Sequence, residues 1–172
     1  MTAGDPIQTT AGHDAPDAPD APGASDIDAI ESERARWYEL MALVRVLDPD
    51  EWQEPGYYRD PAWSIRDLMG HVGTWLAQAE VQLMRINAGT YEGHEIDIDA
   101  LNEQFLEAVR DHSWATVSDL AQAGRTRMLQ EWTGLAAPND EATWWLRKSG
   151  ADHYDEHLER LRTWVDELVA RR

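Results

Sequence analysis

Histidine is the residue type in this chain best suited to metal or acid–base chemistry. There are six of them and no cysteine, which removes a thiolate metal site, a cysteine nucleophile and a disulfide scaffold. His153 and His157 are four positions apart, so a helix presents both rings on one face, about one turn from each other. They share an apolar stripe with Leu161, Trp164 and Leu168, and His71 lies on another stripe between Leu68 and Trp75. If two helices bring these stripes together, three neutral imidazoles with an open coordination position make a catalytic zinc site, or a related nickel or iron site. A metal so held lowers the pKa of bound water toward 7, or holds a thiolate or carbonyl oxygen. The same spacing also fits three unrelated core histidines, each satisfied by its own hydrogen bond. Spacing alone leaves both readings open. Ligating imidazoles must be neutral, so protons are expected to compete with a metal near the ordinary histidine pKa of about 6.5. His13 falls in an acidic leader, His94 in a polar loop and His112 at a helix interruption, and none of these is a candidate ligand.

Helices must position these residues. Ile30, Trp37, Leu40, Met41, Val44 and Leu47 fall at helical spacing and predict a first helix ending near Leu47, where Asp48-Pro49-Asp50 stops it. Glu51 to Ala62 reads as a loop. Ser64-Ile65-Arg66-Asp67 reads as a capping box opening a second helix, with Leu68, His71, Val72, Trp75, Leu76, Ala79, Leu83 and Ile86 on one face and Gly89 as its stop. A third helical segment begins near Leu101 and runs to about Leu135, with an interruption at His112-Ser113. Trp144, Trp145 and Leu146 form a short apolar approach, and the last helix follows Gly150. No period-two strand is evident. Four long amphipathic helices predict an all-α four-helix bundle over residues 26–172.

Residues 1–25 read as a disordered leader, because Asp14-Ala-Pro-Asp-Ala-Pro-Asp-Ala-Pro22 sets a proline at every third position among acids that repel one another. The first thirty residues carry six of the net eighteen negative charges and no basic residue. An acidic chain with a single lysine has no basic stripe for nucleic acid. It also has no apolar run of the ~20 residues that span a bilayer, and its start lacks the pattern of a secretory signal. The expectation is a cytoplasmic protein that binds neither membrane nor nucleic acid. Trp75, Asn102 and Tyr154 are candidates for the walls of a small-molecule pocket, and Asp152 and Glu156, with Asp155, for orienting an imidazole N–H. Arg66 and Arg147 are weaker candidates for an anionic substrate.

Trp63-Ser-Ile-Arg-Asp-Leu-Met-Gly-His71-Val-Gly-Thr-Trp75 resembles the second-helix motif of the DinB and YfiT-like metal-binding superfamily, and His153-Tyr-Asp-Glu-His157-Leu-Glu-Arg-Leu-Arg-Thr-Trp164 resembles its last-helix HxxxH motif. Between them, Asp97-Ile-Asp-Ala-Leu-Asn102-Glu resembles the third helix of two branches. One is the N-terminal domain of mycothiol-dependent maleylpyruvate isomerase and the other is the ClbS/DfsB group. The resemblance implies an up-down-down-up bundle with a divalent metal, zinc first, on His71, His153 and His157. It also implies a homodimer, which the nine tryptophans suit. The first branch implies a low-molecular-weight thiol such as mycothiol, bacillithiol or glutathione, and transfer or isomerisation of a small electrophile. The second implies metal-assisted hydrolysis for self-protection, and a non-catalytic metal-binding stress-response bundle is the third possibility. The chain departs from the isomerase pattern in carrying His153 where that enzyme has a carboxylate, and no residues follow Arg172 to make its C-terminal domain.

Overall fold

A computed structural model describes residues 24–59, 62–93 and 96–172. Its elements are α1 (Ala24–Val44), a 3₁₀ turn (Glu51–Gln53), β1 (Tyr58–Arg59), β2 (Ala62–Trp63), α2 (Ile65–Asn87), α3 (Ile98–Val109), α4 (Trp114–Thr133), α5 (Asp140–Ser149) and α6 (Ala151–Val169). The long helices pair as α2 on α4 and α1 on α6, forming the bundle, while α3 lies against α2 and α5 bridges α2 and α6. The expected all-α bundle is what forms. The leader expected over residues 1–25 lies outside the described residues except for its last two positions, which open α1. His13 and His94 also lie outside them.

Helices α2 to α5 each start where a short polar side chain takes up free backbone N–H groups, whereas α6 follows Gly150 with no side-chain cap. Ser64 and Asp67 form the reciprocal capping box of α2, with the Ser64 side chain accepting from the Asp67 N–H. Asp97 caps α3 through the Ala100 N–H, Ser113 caps α4 through Thr116, and Asn139 caps α5 through Ala142. The break at His112-Ser113 therefore separates two individually capped helices. α2 closes at Ala88, followed by Gly89 at φ +67°, which a side chain would strain.

Burial of one face per helix then assembles the bundle. Leu68, Val72, Leu76, Ala79 and Leu83 of α2, Leu40 of α1, Met128 of α4 and Leu158 and Leu161 of α6 are all buried, and each such leucine is worth roughly 1.5–3 kcal/mol on removal from water. α2 and α4 lie close together at Gly73 and Gly124. A Cβ on Gly73 would stand 3.0 Å from the Ala121 Cα, and one on Gly124 would stand 3.2 Å from the Gly73 carbonyl oxygen. On the other side of the bundle, Glu33 of α1 is fully buried. It accepts from Arg125 Nε at 2.7 Å and Nη2 at 2.6 Å, and from the Tyr154 hydroxyl at 3.1 Å, so one carboxylate ties α1 to α4 and α6.

Three expectations are corrected. The first helix ends at Val44, and its last expected turn, through Leu47, tightens into turns in which the Val46 and Leu47 N–H groups reach back three residues. Trp144–Leu146 sit inside α5, a helix obscured in the sequence because its apolar residues are consecutive and the exposed positions around them are charged. The loop before α2 holds a two-stranded antiparallel hairpin, Tyr58 opposite Trp63 and Arg59 opposite Ala62, too short to show an alternating pattern.

Candidate metal centre

Four helices each present two residues one turn apart to a single cavity of about 340 Å³: His71 and Trp75 from α2, Ile98 and Asn102 from α3, Trp144 and Lys148 from α5, and His153 and His157 from α6. The hairpin adds Tyr58 and Trp63, and Glu156 completes the lining. Spacing of four places both members of each pair on the same helix face, so the cavity is the meeting point of four such faces.

The three histidines sit on its inner wall, all buried. His71 Nε2 is 2.9 Å from His153 Nε2, and His157 Nε2 is 3.2 Å from the same atom. One ligand atom from each ring lies within 4.8 Å of the others, and no second group of this kind occurs among the described residues. Burial, with His157 adding like-charge repulsion, pushes the His71 pKa down to about 3. Burial pushes His157 down to about 4. Burial, then His71, His157 and the Lys148 charge, hold His153 well below the ordinary histidine value. All three are neutral at pH 7.

A neutral imidazole nitrogen offers either one hydrogen or one lone pair, yet His153 Nε2 faces two partners at once. These contacts are hard to satisfy among the rings alone and easy to satisfy with a cation between them. Tetrahedral coordination at a metal–nitrogen distance of about 2.0–2.1 Å sets ligand nitrogens about 3.3–3.4 Å apart, close to the separations present. His71 Nδ1 and His153 Nδ1 are buried without a hydrogen-bond partner, the Ser149 backbone one turn before His153 approaching without closing a bond. The donor set and the convergence of its Nε2 atoms fit a divalent ion.

The remaining expected site residues divide. Trp75 lines the cavity, its ring centroid 6.1 Å from that of His153, and its indole N–H donates to Asn102 Oδ1 at 2.8 Å. Glu156 lines the cavity as well but pairs with Lys148 at 3.3 Å rather than with an imidazole. Asp152 is not part of the lining; it pairs with Arg147 at 3.1 Å, and Asp155 pairs with Arg36 at 2.9 Å. Tyr154 points away from the cavity, and its hydroxyl meets Glu33. Residues 152 and 154 flank His153, and a helix turns each about 100° away from it. Arg66 caps the end of α3 through the Arg110 and His112 carbonyls, and His112 is exposed.

The sequence reading missed Tyr57, Tyr58, Trp63, Ile98, Trp144 and Lys148. The four-residue spacing from Asn102 back to Ile98, and from Lys148 back to Trp144, was the available signal for α3 and α5. Tyr57 and Tyr58 carried none, because their segment has no helical period. Both hydroxyls reach His157 Nδ1, at 3.1 Å and 3.3 Å, and they occupy the orienting role expected of the acids.

Residues 33–172 match the family model described as the mycothiol maleylpyruvate isomerase N-terminal domain. A crystal structure of an uncharacterised protein from Escherichia coli UTI89 is similar in fold, with a TM-score of 0.68 at 13% identity over 83% of this chain and 93% of that one. No curated protein sequence matches the chain.

Proposed function

The chain belongs to the family of the mycothiol maleylpyruvate isomerase N-terminal domain, and on that premise we propose that it binds a divalent metal, zinc foremost, through His71, His153 and His157. We further propose that it transfers or isomerises small electrophiles with a low-molecular-weight thiol: mycothiol, bacillithiol or glutathione. The observation that carries this reading is the convergence of three neutral imidazole nitrogens at the wall of a cavity large enough for a small molecule. The absence of cysteine is consistent with a thiol supplied from outside.

A bound divalent ion supplies a Lewis acid that makes a thiol or water beside it easier to deprotonate. The chain's own residues do the rest. Trp63, Trp75 and Trp144 wall the cavity with indole surface, against which the apolar part of a small molecule can pack. Trp75 Nε1–H can only donate, so it holds Asn102 Oδ1 and leaves the Asn102 amide N–H groups to donate elsewhere. Lys148, the single lysine in the chain, places a cation at the cavity, countered by Glu156.

The test is metal analysis of the purified protein beside His153→Ala, with thiol consumption measured against a panel of electrophiles. Metal in the wild type, its loss in the variant and metal-dependent thiol consumption are expected. Metal-dependent hydrolysis without thiol would assign the protein to hydrolytic self-protection, and neither activity would leave a metal-binding bundle alone. The same reading makes the protein a cytoplasmic homodimer, with a dimer mass expected in sedimentation at micromolar concentration.

A further inference from the structure

Tyr57 and Tyr58 are adjacent in sequence, yet both hydroxyls reach the same nitrogen, His157 Nδ1. The backbone at this point is firmly held. The Gly56 and Tyr57 N–H groups both donate to the Trp63 carbonyl at 2.9 Å. From α6, Arg160 donates through Nη2 to the Gly56 carbonyl at 2.8 Å and through Nε to the Tyr57 carbonyl. Gly56 has φ +129°, and a Cβ there would stand 2.6 Å from the Trp164 ring, so only glycine lets the chain lie this close to α6. Tyr57 is thus fastened to the helix that carries His157.

The hydrogens can be assigned one by one. The Tyr57 hydroxyl is buried, 3.3 Å from the His157 carbonyl oxygen and 3.1 Å from His157 Nδ1. A carbonyl oxygen only accepts, so the 3.3 Å contact is favourable only with the Tyr57 hydrogen on it. The Tyr57 oxygen then meets Nδ1 as an acceptor, and Nδ1 must carry the hydrogen. His157 Nε2 is left with its lone pair turned toward His153. Once Nδ1 is a donor it cannot accept from Tyr58, whose hydrogen is left the Tyr57 oxygen or the cavity that Tyr58 lines.

We infer that the two tyrosines divide the work: Tyr57 is a positioning residue that holds His157 as its Nδ1–H tautomer, and the Tyr58 hydroxyl donates to a ligand seated at the three histidines. The Tyr58 half rests on the metal reading above, and the Tyr57 half does not.

Long-range ¹H–¹⁵N correlation of the metal-free full-length protein reads the tautomer directly. The wild type should show His157 as Nδ1–H, Tyr57→Phe should shift it toward Nε2–H, and Tyr58→Phe should leave it unchanged. A wild-type Nε2–H ring, or a shift with Tyr58→Phe but not with Tyr57→Phe, overturns the assignment without requiring either variant to bind metal. In a second arm, zinc affinity should fall about 10–100-fold in Tyr57→Phe, the usual cost of losing an outer-shell partner. Acetohydroxamate affinity for the zinc-loaded protein should fall about fivefold in Tyr58→Phe, the worth of one hydrogen bond; an unchanged value overturns the Tyr58 role. A wild type that takes up no zinc overturns the proposed metal function and the Tyr58 role with it, while the tautomer alone decides Tyr57.

Discussion

His71 Nε2 and His153 Nε2 lie 2.9 Å apart although 82 residues separate them in the chain. That contact brings α2 to α6, and everything proposed for the site depends on the third nitrogen, His157 Nε2, arriving at the same point.

Replacing His71, His153 or His157 by Ala should each remove most of the rise in melting temperature that zinc gives the wild type. Binding confined to the folded state stabilises it in proportion to affinity, and losing a ligand should cost more than the roughly 10–100-fold of an outer-shell change. His112→Ala is the control and should leave zinc binding intact. Zinc titrations followed by thermal melts check this; three additive stability losses with no zinc effect on the wild type would mark separate core histidines.

Acid should destabilise the metal-free protein before it affects the site. His71 and His157 have folded pKa values of about 3 and about 4, below the unfolded value near 6.5. Below pH 6.5 the unfolded chain takes up protons that the native rings refuse, so stability is full above that pH and is lost as pH falls toward 4. The loss is on the order of 1.4 kcal/mol per pH unit for each such histidine. Metal affinity of the folded protein should by contrast hold nearly constant down to about pH 5, since burial moves proton competition below the 6.5 region that composition alone suggests. Urea melts and zinc titrations at pH 8, 6.5 and 5 separate the two effects.

Arg125→Met should cost about 3–5 kcal/mol in urea unfolding, because it leaves the Glu33 carboxylate buried without its cation. The double change Glu33→Gln with Arg125→Met should recover much of that loss. If the double variant is no more stable than the single one, the penalty does not come from the stranded charge.

A chain beginning at Asp26 should keep the helical circular dichroism and the melting temperature of the full-length protein within error. The proposed domain spans 26–172, and family similarity begins only at residue 33. A lower melting temperature would mean that the leader packs on the bundle.

The bundle was legible in the sequence because burial stamps a period of 3.6 on α2 and α6, and because Ser64 and Asp67 announce the start of α2 chemically. The histidine cluster was legible for the same reason, as polar rings at apolar positions. α5 was not, since the face it buries, Ala142, Trp145, Leu146 and Ser149, has helical spacing but includes a small and a polar residue, and Trp144 beside it faces the cavity, so only a short apolar run stands out. Tyr57 and Tyr58 were illegible in principle. Their role comes from Arg160 and Trp164 drawing the loop onto α6 from about 100 residues away, and no local pattern records a contact of that range.

The histidines come from α2 and α6, both part of the four-helix frame, whereas Tyr58, Trp63, Ile98, Asn102, Trp144 and Lys148 come from the hairpin, α3 and α5, which are attached to it. The three histidines and most of the cavity's other lining residues, Trp75 and Glu156 apart, therefore reside in different parts of the chain. Exposed positions such as Ile98 and Trp144 can be exchanged to admit a different guest while the Gly73–Gly124 contact keeps the helix that carries His71 in register. Such a layout lets the walls of the cavity change while the histidine cluster behind them stays in place.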